Sequence, residues 1–221
     1  MIKSINRFIL TIVVGGLLFT GSAIGDDANH VVLYEKFEAH ESTFLSTNKD
    51  VDYEVLYFFN YNCPSCLEFE ETVAYWQDNM PENTELKSIP TAVHVEWEWA
   101  TKLHFFAKKM NPELTRKTIF NTPTLQSYVI STKDDMIATL ADELNLPIGA
   151  IERTVSKVDV SPMMEKSREL AAKFNVIGTP TLVLNAVGKG VYKVQPNNFL
   201  TYKQMMQLVN GIIAYHNKTK K

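Results

Sequence analysis

The sequence predicts an α/β protein: a sheet covered by helices on both faces, with a helical block set into the middle of the chain. Three observations carry that expectation. Residues 53–59, Tyr-Glu-Val-Leu-Tyr-Phe-Phe, form a run rich in β-branched and aromatic residues, as a buried strand requires. Just after it, Cys66, Phe69, Val73, Trp76 and Met80 follow at steps of three and four, the spacing of one helix face. Toward the C-terminus the pattern becomes helix, two short apolar strands and helix, which again places helices around a sheet.

The elements follow in order. Residues 31–37 predict a first strand and 53–59 a second. The helix carrying the two cysteines ends at the turn Met80-Pro81-Glu82-Asn83, and residues 85–93 predict a third strand. From Glu96 to Val160 the pattern is helical. Trp99, Leu103, Phe106 and Met110 share a face until Asn111-Pro112 breaks it. Thr132, with Asp135 three residues on, opens a helix striped by Met136, Leu140 and Leu144. After Pro147, Ile148, Ile151 and Val155 mark a short successor. Ser161-Pro162 supplies a cap residue and a first-turn proline for a helix running to about Asn175. Residues 181–184 and 191–194 predict two strands joined across Gly188-Lys189-Gly190. That pair of glycines is a hairpin turn and lacks the third glycine and following helix of a dinucleotide site. Tyr202, Met206, Val209 and Ile213 form the face of a closing helix.

The N-terminus has the layout of a secretory signal. Lys3 and Arg7 precede an apolar run over 8–19, and Ala23-Ile24-Gly25 offers small residues for cleavage before Asp26. An uncleaved anchor is the competing reading, and the run is short for one. Residues 26–221 then make a chain of 196 residues, enough for one well-buried core. It carries 20 basic against 25 acidic residues, which gives no electrostatic case for nucleic-acid binding.

Cys63-Pro64-Ser65-Cys66 holds the only two cysteines, where the strand meets the helix. Strand, short turn and cysteine pair at a helix start are the thiol–disulfide redox arrangement. Free backbone N–H groups and the positive end of the helix dipole favour a thiolate on Cys63. A zinc site would need four ligands, and no third cysteine or closely spaced histidine pair exists to complete one. A structural disulfide closing so short a loop would constrain the unfolded chain very little. No metal or other cofactor is expected.

The stretch from Val55 to Glu71, with its Phe-Phe run, Cys-Pro-Ser-Cys and Phe-Glu-Glu, resembles the DsbA family of periplasmic thiol–disulfide oxidoreductases. Gly178-Thr179-Pro180-Thr181 is similar to that family's cis-proline loop, and Gln195-Pro196-Asn197-Asn198 to the loop bordering its peptide groove. The resemblance implies a thioredoxin fold with a helical subdomain inserted in the middle. Its divisions are a signal peptide (1–25), a first thioredoxin part (26–95), the insertion (96–160) and a second thioredoxin part (161–221). It implies Cys63 and Cys66 as the redox-active disulfide, Pro180 as the cis-proline of the active site, and Pro64, Ser65, Thr179 and Pro180 as the substrate-binding surface. Glu70 aligns with a family acid and lies four residues from Cys66 on the same helix face, the place for a proton relay; an ordinary solvated helix carboxylate is the other reading. A plain turn is likewise the other reading of Gly178-Thr179-Pro180.

Two departures bear on chemistry. Ser65 stands where the enterobacterial oxidase has a histidine, and Tyr57 where it has a buried acid. Ser88 aligns with a lysine on the next strand, although Lys87 is adjacent. The resemblance implies reduced exported proteins as substrates and a DsbB-like membrane partner as re-oxidant, in the periplasm. Ser65 and the threonine before Pro180 favour a competing isomerase or reductase on the same scaffold. A redox-inert peptide-binding chaperone is the third possibility, opposed by the presence of both cysteines. Oligomeric state is not readable.

Overall fold

The computed structural model describes residues 33–37 and 45–218; the signal-like N-terminus lies outside them, as do residues 31 and 32 of the first predicted strand. Among the described residues five strands form one sheet in the order β1-β5-β4-β2-β3. They are β1 (Glu35–Phe37), β2 (Tyr53–Phe59), β3 (Thr84–Pro90), β4 (Thr181–Ala186) and β5 (Gly190–Val194). β2 runs parallel to β3 and antiparallel to β4, while β5 is antiparallel to both β4 and β1. Every residue of β2, β4 and β5 is buried, which explains why β2 reads as a continuous apolar run.

Among the described residues eight α-helices pack around the sheet and against one another: α1 (Pro64–Asp78), α2 (Glu98–Met110), α3 (Arg116–Phe120), α4 (Pro123–Ser127), α5 (Lys133–Leu144), α6 (Ile148–Val155), α7 (Ser161–Lys173) and α8 (Tyr202–Lys218). Because side chains alternate along a strand, β2 serves two cores. Tyr53, Val55, Tyr57 and Phe59 join the large cluster with α1, α8 and the insertion helices, while Leu56 and Phe58 join a smaller one under α7 with Leu170 and Phe174. The insertion α2–α6 shares the large cluster through Phe106, Phe120, Ile130, Met136 and Leu140.

Several boundaries differ from the sequence expectation. β1 begins at Glu35, two residues after the described chain resumes. The third strand stops at Pro90, because Thr91 to His94 turn out toward the insertion. Ser161 is the first residue of α7 and not its cap; the Asp159 carboxylate accepts from Ser161 N instead (2.9 Å). That helix ends at Lys173, and Asn175 takes a left-handed conformation (φ 47°). Thr132 and Asp135 form the reciprocal capping box expected of them, and Gly188 (φ 65°) and Gly190 (φ 141°) supply the hairpin with conformations other residues rarely adopt.

Candidate active site

β2 ends near the middle of the sheet and the chain turns through Asn60, Tyr61 and Asn62 into α1. Asn60 is fully buried. Its side-chain oxygen accepts from Asn62 N (2.9 Å), and its amide donates to the Thr91 carbonyl (3.1 Å) and to Thr101 Oγ1 (2.9 Å). This fixes the turn to the third strand and to α2. Asn62 completes the brace: it accepts from Ile130 N and donates to Ile130 O, both at 2.9 Å. The cysteine loop is thereby tied to the insertion.

Cys63 is the N-cap of α1 and Pro64 the first helical residue, where a missing N–H leaves nothing unpaired. Cys63 Sγ accepts from Cys66 N at 3.2 Å. On its other side it lies 3.3 Å from the carbonyl oxygen of Thr179, and the Thr179–Pro180 peptide is cis. The two halves of the site are 116 residues apart in sequence. Both cysteines are reduced. The Cys63 thiol is pulled down to about 7, chiefly by the hydrogen bond from the Cys66 side chain. The Thr179 hydroxyl and the backbone N–H groups of Cys66 and Ser65 add to this, and burial opposes it. Cys66 lies one turn inside with no exposed surface, and burial pushes its thiol far up. One thiol is therefore poised to ionise near neutrality and the other stays protonated.

Pro64 is exposed and Ser65 half-buried at the surface of the site. A cleft at Cys63 is bordered by Pro64, Leu67 and the end of α4, Leu125 to Val129; Leu67, Tyr128 and Val129 are exposed. Gln195 and Asn197 line a different cleft, with Leu33 to Glu35 and Lys193.

Glu70 is not a solvated helix carboxylate. It is buried, and its Oε2 accepts from Arg116 Nε at 3.1 Å. Burial raises its pKa against the pull of the Arg116 guanidinium. Arg116 also donates to Ser88 Oγ and lies over the ring of Tyr57, 5.2 Å from its centre. Lys87 instead pairs with Glu85 on its own strand. The cation beneath the cysteine helix thus comes from α3 and not from the third strand.

Cys63, Cys66, Thr179 and Pro180 are brought together, with Pro64 and Ser65 beside them and Glu70 deeper in. Sequence reasoning missed Arg116, whose five-residue helix carries no periodicity that marks an inward face. It also missed Asn60 and Asn62, whose signal was two asparagines in a turn ahead of a helix cap.

No family model matches the chain. Among curated proteins, it is 26% identical over 133 residues to the thiol:disulfide interchange protein DsbA of Azotobacter vinelandii. That alignment takes in 60% of this chain and 62% of the relative. It is 27% identical over 147 residues to the protein of the same name from Burkholderia cepacia, 65% of this chain and 66% of that one. The chain therefore spans less than two thirds of the length of the curated relatives it matches. Among solved structures, that of Pseudomonas aeruginosa DsbA superposes with a TM-score of 0.68 at 20% identity, covering 86% of this chain and 95% of that one. A DsbA-type oxidoreductase from Neisseria meningitidis gives 0.64 at 18%, covering 90% and 100%. At those identities the superpositions speak for the fold. The chain is thus similar in sequence to curated thiol:disulfide interchange proteins named DsbA, and it shares the fold of solved DsbA structures.

Proposed function

We propose that the protein is a thiol:disulfide oxidoreductase that introduces disulfide bonds into exported proteins by dithiol–disulfide exchange at Cys63 and Cys66. The observation that carries this reading is the Cys63 sulfur. It sits at the N-terminus of α1, accepts from Cys66 N, lies 3.3 Å from the Thr179 carbonyl, and has a pKa of about 7. In the oxidised protein a substrate thiolate attacks Cys63 Sγ, breaking the Cys63–Cys66 bond and forming a mixed disulfide. A second substrate thiolate then attacks the substrate sulfur of that bond, leaving an oxidised substrate and the reduced dithiol. A low pKa makes Cys63 a good leaving group and stabilises the reduced protein, so the disulfide is oxidising.

The cis bond before Pro180 presents the backbone of Thr179 beside Cys63, where an extended substrate segment can pair with it as an added strand. The exposed Leu67, Tyr128 and Val129 offer apolar contact on the other side. The curated relatives' name and the signal-like N-terminus support a periplasmic setting, reduced exported proteins as substrates and a DsbB-like membrane re-oxidant. Among the described residues no helix is long and apolar enough to cross a membrane.

The test is a redox titration against glutathione together with trapping. A strongly oxidising couple supports the oxidase, an intermediate one the isomerase or reductase that Ser65 and Thr179 favour. No couple overturns both and leaves the peptide-binding chaperone. Cys66→Ala should accumulate mixed disulfides through Cys63 on non-reducing gels, and Cys63→Ser should accumulate none. The opposite pattern reverses the two roles.

A further inference from the structure

The two most exposed large apolar side chains among the described residues are Val95, 78% exposed, and Ile177, 76%. They come from distant parts of the chain, yet both line one cleft. Single exposed apolar residues are ordinary; two that converge on one concavity mark a place where something apolar docks. The cleft has a volume of about 500 Å³, within the range of ligand pockets. One wall is the turn that leaves β3, with Val95. The other is α7 and the start of the cis-proline loop, with Ile177. It shares no residue with the cleft at Cys63 or with the one at Gln195 and Asn197.

Three hydroxyls line the cleft, and each is already committed. Thr91 Oγ1 donates to the Ile89 carbonyl (3.0 Å), Thr101 Oγ1 to the Trp97 carbonyl (3.1 Å), and Ser167 Oγ to the Pro90 carbonyl. The two charged side chains that line it are paired as well, Glu98 with Lys102 (2.7 Å) and Arg168 with Glu165 (2.8 Å). A polar side chain entering here gives up its water and finds the side-chain donors taken. An apolar one gives up nothing and covers Val95 and Ile177.

The cleft adjoins the exchange site through both walls. Asn60, in the turn before Cys63, donates to the Thr91 carbonyl (3.1 Å) and to Thr101 Oγ1 (2.9 Å). Ile177 stands two residues before Thr179, whose carbonyl lies 3.3 Å from Cys63 Sγ. Among the described residues no backbone group pairs with the N–H or C=O of Ile177 or with the N–H of Thr179, and residues 177–179 reach solvent. That leaves an unpaired edge of backbone, open to an added strand.

We infer that this cleft is a side-chain subsite for the substrate, and that it takes an apolar residue two positions from the substrate cysteine. This rests on the exchange reading above. When a substrate segment pairs with the backbone of 177–179 and its cysteine meets Cys63 beside Thr179, the residue two positions away lies roughly 7 Å along the strand, beside Ile177. A leucine or phenylalanine there enters the cleft and covers Ile177 and Val95. A glycine leaves both exposed, and a glutamate or lysine has no free partner. The subsite thus selects cysteines set in apolar sequence, which a substrate presents before it folds and buries afterwards.

Cys66→Ala protein treated with glutathione disulfide carries glutathione on Cys63. A peptide thiolate then attacks Cys63 Sγ; the new disulfide forms as the bond to glutathione breaks, and glutathione leaves as the thiolate. Single-cysteine peptides that differ only two positions before or after the cysteine compete for this protein, and mass spectrometry reads the ratio of mixed disulfides. Phenylalanine or leucine should be captured about tenfold over glycine at one of the two positions, the effect of burying one such side chain, and glutamate or lysine no more than glycine. Val95→Ser together with Ile177→Ser, on the same background, should bring the ratio to near one; both side chains are exposed, so the fold does not depend on them. Equal capture of all peptides, or a preference that survives the double substitution, overturns the subsite while exchange stands. A dimer in sedimentation that the double substitution dissociates assigns the cleft to a second copy of the chain and overturns it as well. If no peptide is captured, glycine included, exchange itself fails, and the subsite with it.

Discussion

At the residue scale, one helical turn separates two thiols of opposite character. Cys63 caps α1 and gathers hydrogen bonds from the Cys66 side chain and the first N–H groups of the helix; Cys66, three residues on, has only the interior around it. Ser65 adds its backbone N–H but no charge. Ser65→His should therefore take the Cys63 pKa below about 7, since an imidazolium beside the sulfur favours its anion, and should make the disulfide more oxidising. Thiolate absorbance against pH measures this, and an unmoved titration would show that position 65 does not face the sulfur. The Thr179 hydroxyl is buried beside the thiols without a full hydrogen bond to either, and the carbonyl of the same residue accepts from Cys63 Sγ at 3.3 Å. Thr179→Val deletes the first and keeps the second. Loss of a hydrogen bond to a charged group is worth about 1.5–3 kcal/mol at most, or roughly one to two pKa units upward for Cys63. The ratio of dithiol oxidation to refolding of a scrambled protein should shift with it. Equal ratios and an unmoved pKa would leave only the backbone of Thr179 in the mechanism.

At the scale of elements, the site depends on how the insertion is fastened to the cysteine loop. Ile130 is fully buried, and the side chain of Asn62 serves both its N–H and its carbonyl. Asn62→Ala would leave those groups without partners, at a cost of about 1–3 kcal/mol. A lower denaturant midpoint with an unchanged slope is the expected result. Unchanged stability would mean that water replaces the side chain. These fastenings mark where sequence reasoning ends. Residues 53–59 were legible because a fully buried strand needs an unbroken apolar run, and α1 because Cys66, Phe69, Val73 and Trp76 line up at helical spacing. The Thr179–Pro180 loop was legible through its likeness to a known one. Burial of Glu70 was not, because the same carboxylate on a bare helix would be solvated; it is buried only because α3 lies across it. Arg116 reads as a surface cation in a short polar stretch, and nothing local says that it turns inward. Such contacts belong to the tertiary arrangement, which no window of the sequence contains.

For the whole molecule, one large core runs from the sheet into the insertion, and a buried histidine within it couples stability to pH. His104 donates to or accepts from Tyr61 Oη at 3.0 Å among Phe59, Tyr61 and Phe105, and burial lowers its pKa to about 3. The folded protein keeps this ring neutral while the unfolded chain takes a proton below the ordinary value of 6.5. Its contribution is complete above that value and falls with pH by about 1.4 kcal/mol per unit down to about 3. Glu54 and Glu70 work the other way: their carboxyls are raised by burial, so the folded state gains stability as pH falls through their folded pKa. Comparison with His104→Gln isolates the histidine. Between pH 6.5 and 5.5 the wild-type protein should lose about 1 kcal/mol more than the variant in denaturant titrations, and parallel losses would refute the assignment. The contact between Cys63 and Thr179 has a further consequence, in time. It spans 116 residues, so the proline loop is made well after the cysteine pair. At about 5–20 residues per second, that interval lasts on the order of ten seconds. During it the growing chain carries the cysteine pair without the Thr179 carbonyl that faces Cys63 in the folded protein.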